Sequence, residues 1–454
     1  MRGPYAAALV VATCFACRGE AEDHSKPKAE LQPPAPPPVA AEPPVAKTTA
    51  PTTNDDLLKD ADRIAAKVSE MRGLSLNEPI KRGVMNKDQI TERLLQRVKD
   101  EYAPEELARE EVALKRLGLI PLDKKYLDMV IELLKQQIAG FYDPWEKELY
   151  IMEGAGALGG EEVMAHEIDH ALQDQHFGLK KWLAEVKKNA DATLARQALV
   201  EGDGTVLMIE YKDQKAGSGP TSWAEPEFVQ DQAAAIRMGL VLMSDVPLYL
   251  RESLVFPYVN GLKFVGSARA SKSWGEVDGF YKKPPLSTEH IIHPDKYDTY
   301  ERPVEIRAAK LKGRALGYDN VLGEMGLWLL LRQHGLSEDM AKEAVGGWGG
   351  DRIAVFTPPD KTSDPASATA VIYTVWDRSA DADEFFAGAM GVLAGLSGGS
   401  VLVKNDNHVD FKGPSGVASI EKKKDAVLLV VGPEVNAALR AQIWKGWKVK
   451  RPKK

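Results

Sequence analysis

The chain is poor in cysteine: two among 454 residues, Cys14 and Cys17, both in the opening stretch MRGPYAAALVVATCFAC. If cleavage precedes Cys17 no pair remains, so the folded part is expected to lack a disulfide even in an oxidising compartment. No strong excess of one charge is present either. The 59 Lys and Arg against 66 Asp and Glu give a net charge of -7, with both signs interleaved almost everywhere after residue 55. That balance advertises no nucleic-acid surface. Beyond the opening stretch no uncharged apolar run reaches the length of about 18 residues that a membrane span needs. The nearest, MGLVLMSDVPLYLRESLVFPYV, is interrupted by Asp245, Pro247, Arg251 and Glu252. No internal repeat occurs. What is present, 44% hydrophobic and 28% charged residues in a chain long enough for two or three domains, is the composition of a globular protein.

Residues 1–17 combine one cation, Arg2, with an apolar stretch too short to span a bilayer and a small-residue end, which predicts a secretory signal. The ending Phe15-Ala16-Cys17 also resembles a bacterial lipobox, although Cys14 stands where Leu is usual. That resemblance implies lipidation at Cys17, the alternative being an ordinary cleaved signal with a chance cysteine. The expected location is the bacterial cell envelope, periplasm or cell surface, with membrane contact only through the lipid. Residues 18–54 are expected to be a tether. Within them PKAELQPPAPPPVAAEPPVAKTTAP carries nine prolines and almost nothing that forms a core. At about 3.1 Å per residue in polyproline geometry, such a segment reaches on the order of 80 Å.

Residues 55–345 read as mostly helical. NDDLLKDADRIAAKVSEMRGL, TERLLQRVKDEYAPEELAREEVALKRLGL and KKYLDMVIELLKQQIAG keep apolar residues three and four apart. The period then changes. GFYDPWEKELYIME has aromatic and β-branched runs on either side of Asp143–Lys147, a hairpin signal, and EEVMAHEIDHALQDQHF returns to helical spacing. After a soft boundary at Gly346, the runs IAVFTP, ATAVIYTVW, ADADEFFAGAMGVLAGL, VLVKN, HVDFKG, GVASIEKK and AVLLVVG alternate strand and helix. The fold class expected is α+β: a mostly helical domain with a small hairpin or sheet, then a smaller α+β domain over 346–454.

Between hairpin and helix, GAGALGGEEVMAHEIDHALQDQH holds two signatures. Gly154, Gly156 and Gly159 spell the dinucleotide motif G-x-G-x-x-G. Its context fails, because the next segment, GLKKWLAEVKK, is a charged amphipathic pattern and not the second parallel strand that motif needs. No nucleotide is expected, and the glycines read as a turn. His166, Glu167 and His170 spell H-E-x-x-H. On a helix, positions i and i+4 lie one above the other, so both histidines can bind one metal while Glu167 reaches a water in its open position. A pair of hydrogen-bonded core histidines is the plainer alternative. A catalytic zinc site needs a third protein ligand. Glu201, 31 residues beyond His170 in RQALVEGDGT, follows the apolar run Ala198-Leu199-Val200, where an unpaired acid is costly. It is the expected third ligand, the alternative being a surface acid at a helix break made by Gly202 and Gly204. His176 lies about 120° off the face of His170 and reads as structural. His334 and His408 show no partners in the sequence.

AHEIDHALQDQHF followed by ALVEGDGT resembles the gluzincin-type metallopeptidases. More closely, it is similar to a largely uncharacterised group of bacterial secreted proteins with HExxHALQDQ and EGDAT-like motifs. IAGFYDP, PPLSTEHIIHP and GGWGGDR belong to the same likeness. The resemblance implies a zincin-like fold and a single Zn²⁺ on His166, His170 and Glu201. It further implies Glu167 as catalytic base for hydrolysis of peptide or protein substrates, and an oxyanion donor later in the chain. His290 and His293 are the available histidines, and His293, in the H-P pair of that group, is preferred. ELYIME (148–153) is the candidate strand edge for substrate, or else an ordinary core strand. Asp203 or Asp169 would orient a ligand imidazole, or be solvated. Two departures from the group, Asp169 in place of Thr and Gly204 in place of Ala, are expected not to touch a ligand. Gly204 should loosen its helix by up to about 1 kcal/mol. A non-catalytic, partner-binding lipoprotein retaining the metal or the fold remains the alternative function.

Overall fold

The structure is a computed structural model that describes residues 54–137, 140–153, 160–240 and 246–452. The expected signal, Cys17, the tether and the glycine turn at 154–159 lie outside the described residues. The chain is mixed α+β.

The first part opens with α1 (Asn54–Arg72), β1 (Lys81–Met85), α2 (Lys87–Glu101), α3 (Pro104–Arg116) and α4 (Tyr126–Gln137). Asn86 and Gln89 close a reciprocal capping box at the start of α2, satisfying two backbone donors that a helix start leaves open. The expected hairpin follows as β2 (Gly140–Asp143) and β3 (Glu148–Met152). Its register pairs Gly140 with Ile151 and Asp143 with Glu148. The other side of β3 pairs in parallel with β1, Lys81 opposite Glu148 and Met85 opposite Met152. β3 is therefore the middle of a three-stranded sheet, β1-β3-β2, and offers no free edge to a substrate. That corrects the expectation for ELYIME; the edge strand on the hairpin side is β2. β1 was not anticipated, because KRGVM has no apolar alternation and its partner lies more than sixty residues away.

Two buried helices form the centre of the helical part. α5 (Gly160–Phe177) carries H-E-x-x-H, and all residues from Val163 to Asp174 are buried. A short α6 (Leu179–Ala184) leads to α7 (Ala190–Ala216), capped by the Asn189 side chain and ended by Gly217 at φ 70°. α7 is continuous through Gly202 and Gly204, so no helix break exposes Glu201. α8 (Pro226–Leu240) and α9 (Leu248–Arg269) follow. α9 lies against α7 so closely that a Cβ on Gly261 would stand 2.0 Å from the Ala198 carbonyl oxygen, and one on Gly202 2.3 Å from the Gly261 backbone. Only glycines permit that crossing. Short helices α10 (Trp274–Val277), α11 (Gly279–Lys282), α12 (Thr288–Ile292) and α13 (Pro294–Thr299) complete the part.

Then come β4 (Glu305–Arg307), β5 (Ala315–Asn320), α14 (Gly323–Gln333), α15 (Glu338–Val345), β6 (Trp348–Thr357), β7 (Thr369–Trp376), α16 (Ser379–Met390) and α17 (Leu393–Ser397). The chain ends with β8 (Ser400–Asn405), β9 (His408–Gly413), β10 (Gly416–Lys423), β11 (Ala426–Gly432), α18 (Ala437–Gly446) and β12 (Lys448–Lys450). Seven strands make one antiparallel sheet, β5-β6-β7-β11-β10-β9-β8, and β12 pairs with β4. Strand residues alternate between two cores, as the period of two demands. Ala370, Ile372 and Trp376 of β7 join the core shared with the helices. Val371, Tyr373 and Val375 join a second one with Phe356, Ile443 and Trp447. The boundary expected at Gly346 falls inside this sheet, between β5 and β6, and one apolar core runs from Ala61 to Val431.

Candidate metal centre

α5 and α7 pack with their polar residues facing each other. His166 and His170 project from α5 one turn apart, and Glu201 projects from α7; all are at most 1% exposed. His170 Nε2 lies 3.0 Å from His166 Nε2, and Glu201 Oε2 lies 3.3 and 3.4 Å from those two nitrogens. Ligand bonds of about 2.0–2.1 Å at tetrahedral angles separate ligand atoms by about 3.3 Å, so the triangle has the dimensions of three corners of a zinc tetrahedron. It is the group of His, Cys, Asp and Glu side chains among the described residues that could hold a metal ion. Orphaned atoms support the fit. Glu201 Oε1 and Glu167 Oε1 are buried without a hydrogen-bond partner, a costly arrangement unless a cation or bound water completes it.

The electrostatics favour a positive charge at this point. Burial works against a charged His170, yet the carboxylate of Glu201 beside it lifts its pKa to about 10. Burial likewise works against an ionised Glu201, but the two imidazoles hold its pKa below the ordinary value. Without a metal the site therefore keeps a proton where a cation would sit.

Glu167 is 1% exposed and belongs to the same centre. Its Oε2 accepts the backbone N–H of Tyr142 in β2 at 2.8 Å, leaving Oε1 unpartnered. Burial raises its pKa, and the two histidines partly offset that. Tyr142 was not anticipated, because its contribution is a backbone amide on another element. Gln173 was missed as well, although its position three residues after His170 places it on the same helix face; its Oε1 lies 2.9 Å from His170 Nδ1. Arg72 carried no local signal: it is 131 residues from its partner Asp203.

Other expectations are corrected. His293 Nε2 meets Glu324 Oε1 at 2.9 Å. Glu324 adjoins Gly323, which packs on Asp191, ten residues and about 15 Å along α7 from Glu201. His290 spends both ring nitrogens on backbone, 2.7 Å from the Glu301 carbonyl and 3.3 Å from the Leu286 amide. Asp169 and Asp203 are fully buried and not solvated, and neither bonds an imidazole directly. Gly204 does touch the two histidines: a Cβ there would lie 3.0 Å from His166 and 3.2 Å from His170. His176 meets the Ser75 carbonyl at 2.7 Å, a structural role. His334 and His408 do have partners, the Leu117 carbonyl and Asp410.

No described helix is long and apolar enough to cross a membrane. No curated protein and no solved structure matches the chain. Residues 314–442, which span the sheet from β5 to α18 and contain none of the triad, match a family model described as a domain of unknown function, DUF8575.

Proposed function

We propose that the chain is a zinc-dependent metallopeptidase of the gluzincin type, exported and tethered to the cell envelope through Cys17, hydrolysing peptide bonds of protein or peptide substrates. The helical part would then be zincin-like, with base and two ligands on α5 and the third ligand on α7. The observation that carries the proposal is the convergence of His166 Nε2, His170 Nε2 and Glu201 Oε2 within 3.4 Å, beside a glutamate with one free oxygen.

A zinc ion bound there would supply Lewis acidity, polarising a scissile carbonyl and easing deprotonation of water. The chain's own part is proton handling. Tyr142 pins Glu167 through Oε2, so Oε1 keeps a fixed direction, accepts the proton of the attacking water and returns it to the departing amine. The low-dielectric surroundings raise the proton affinity of Glu167 towards what a base needs at neutral pH. No side chain bonds covalently to substrate in this scheme. His293, held by Glu324, takes no part in it.

Hydrolysis of a generic protein substrate by the native chain, abolished by a chelator, is the test. Glu167→Gln should retain one zinc and lose activity by about 10²–10⁴-fold, the contribution of general acid–base catalysis. Complete burial of the centre favours a second reading, a structural metal in a partner-binding lipoprotein. Equal inertness of native and Glu167→Gln proteins on every substrate, with one zinc bound to each, would select that second reading.

A further inference from the structure

Resting on the metal-centre reading above, we infer that Gln173 and Arg72 form a positioning relay. Gln173 fixes which nitrogen of His170 faces the metal, and Arg72 ties that choice to α1.

The amide of Gln173 has one possible orientation. Its Nε2 lies 2.8 Å from Asp169 Oδ2 and 3.3 Å from the Val200 carbonyl oxygen. The Val200 carbonyl accepts only, so the NH₂ is on that side and Oε1 is on the other. Oε1 stands 2.9 Å from His170 Nδ1. An amide oxygen donates nothing, so Nδ1 carries the hydrogen, and the neutral ring has its lone pair on Nε2. That is the nitrogen turned towards His166 and Glu201. His166 has no such lock, because its Nδ1 has no hydrogen-bond partner. It is held by packing against Gly204 and by the Tyr258 ring, stacked at 6.3 Å.

Asp169 is in turn held by Arg72, the last residue of α1 and 1% exposed. The guanidinium lies 3.6 Å from Asp169 Oδ1, grips Asp203 through two hydrogen bonds of 3.0 and 2.7 Å, and reaches Asp278 Oδ1 at 2.7 Å. It stacks 4.3 Å over Trp274, and the Tyr281 hydroxyl donates to Asp203 at 2.8 Å. One cation from α1 thus unites acids from α5, α7 and the α10–α11 junction. Without it those carboxylates face one another uncompensated, and Gln173 loses a fixed acceptor.

The test is Zn²⁺ affinity of the full chain by chelator competition, with the visible spectrum of the Co²⁺-loaded protein as reporter of ligand geometry. Gln173→Met keeps the volume and removes the acceptor; it should weaken Zn²⁺ by about 10–100-fold and alter the Co²⁺ spectrum. The double variant Asp169→Asn with Gln173→Glu exchanges donor and acceptor at constant charge. It should return affinity to within about threefold of native, which a merely space-filling Gln173 would not require. Arg72→Met should shift the Co²⁺ spectrum in the same direction as Gln173→Met. Native affinity and spectrum in Gln173→Met would overturn the relay, as would equal losses in Gln173→Met and the double variant. A native spectrum in Arg72→Met would overturn the link to α1. If the native chain itself shows no Zn²⁺ binding that His170→Ala removes, the metal reading fails instead.

Discussion

The four residues at the centre owe their chemistry to burial. An imidazole pair and a carboxylate within 3.4 Å of one another, all at most 1% exposed, cannot rely on water to spread their charge. They hold either a proton or a metal. For the metal-free chain the sign is fixed: the pKa of His170 is raised from the ordinary 6.5 to about 10 in the fold. Its contribution to stability is fully present below pH 6.5 and is lost as pH rises towards 10. Thermal midpoints of chelator-treated protein should therefore fall between those pH values, with a shallower fall in His170→Ala. A slope unchanged by that substitution would place the proton elsewhere. Zn²⁺ bound there would displace the proton, so apparent affinity should climb over the same interval. The residues that do this work were legible because H-E-x-x-H is a pattern of spacing. Glu201 was legible because an acid directly after an apolar run demands a partner. Gln173, at helical spacing from His170, could have been found by the same logic.

Among the elements, the approach of α7 to α9 decides whether Glu201 is in place. Gly202, beside Glu201, faces Gly261, and a Cβ on Gly261 would stand 2.0 Å from the Ala198 carbonyl oxygen. Backbone cannot yield as a flexible side chain does. Gly261→Ala should therefore destabilise the chain by about 1–3 kcal/mol, the usual cost of overpacking. It should weaken Zn²⁺ binding as well, since α7 must move to relieve the contact. Denaturant midpoints with and without Zn²⁺ check this, and a fully native variant would show that the crossing is looser than the distances imply. The hairpin at Asp143–Lys147 was readable from the change of period at the aromatic runs. The edge assignment was not: pairing of β1 with β3 joins residues 81–85 to 148–152, and neither KRGVM nor ELYIM states its partner.

For the whole molecule, the sheet and the helices are one folded body. β5 precedes Gly346 yet pairs with β6 from Ala315–Thr357 to Asn320–Ile353, and Arg116 of α3 donates to the Ser415 carbonyl at 2.8 Å. A fragment beginning at 346 would bare the edge of β6 and the face of the shared core, an invitation to aggregation. Size-exclusion of fragments 346–454 and 303–454 should show more aggregation in the shorter one, which lacks β4 and β5. Equally monodisperse fragments would count against a structural need for those strands. By itself the amino-acid sequence determined what depends on local spacing: the helices, the hairpin, the buried strands of the last hundred residues, and two histidines and a glutamate on one helix. Only the tertiary structure decided what depends on distant segments meeting: that β3 is central, that Glu201 closes the triangle, that His293 pairs with Glu324, and that Arg72 stands behind Asp169. Periodicity records which face of an element is buried. It carries no record of what that face is buried against, because that choice is made by packing across the whole chain.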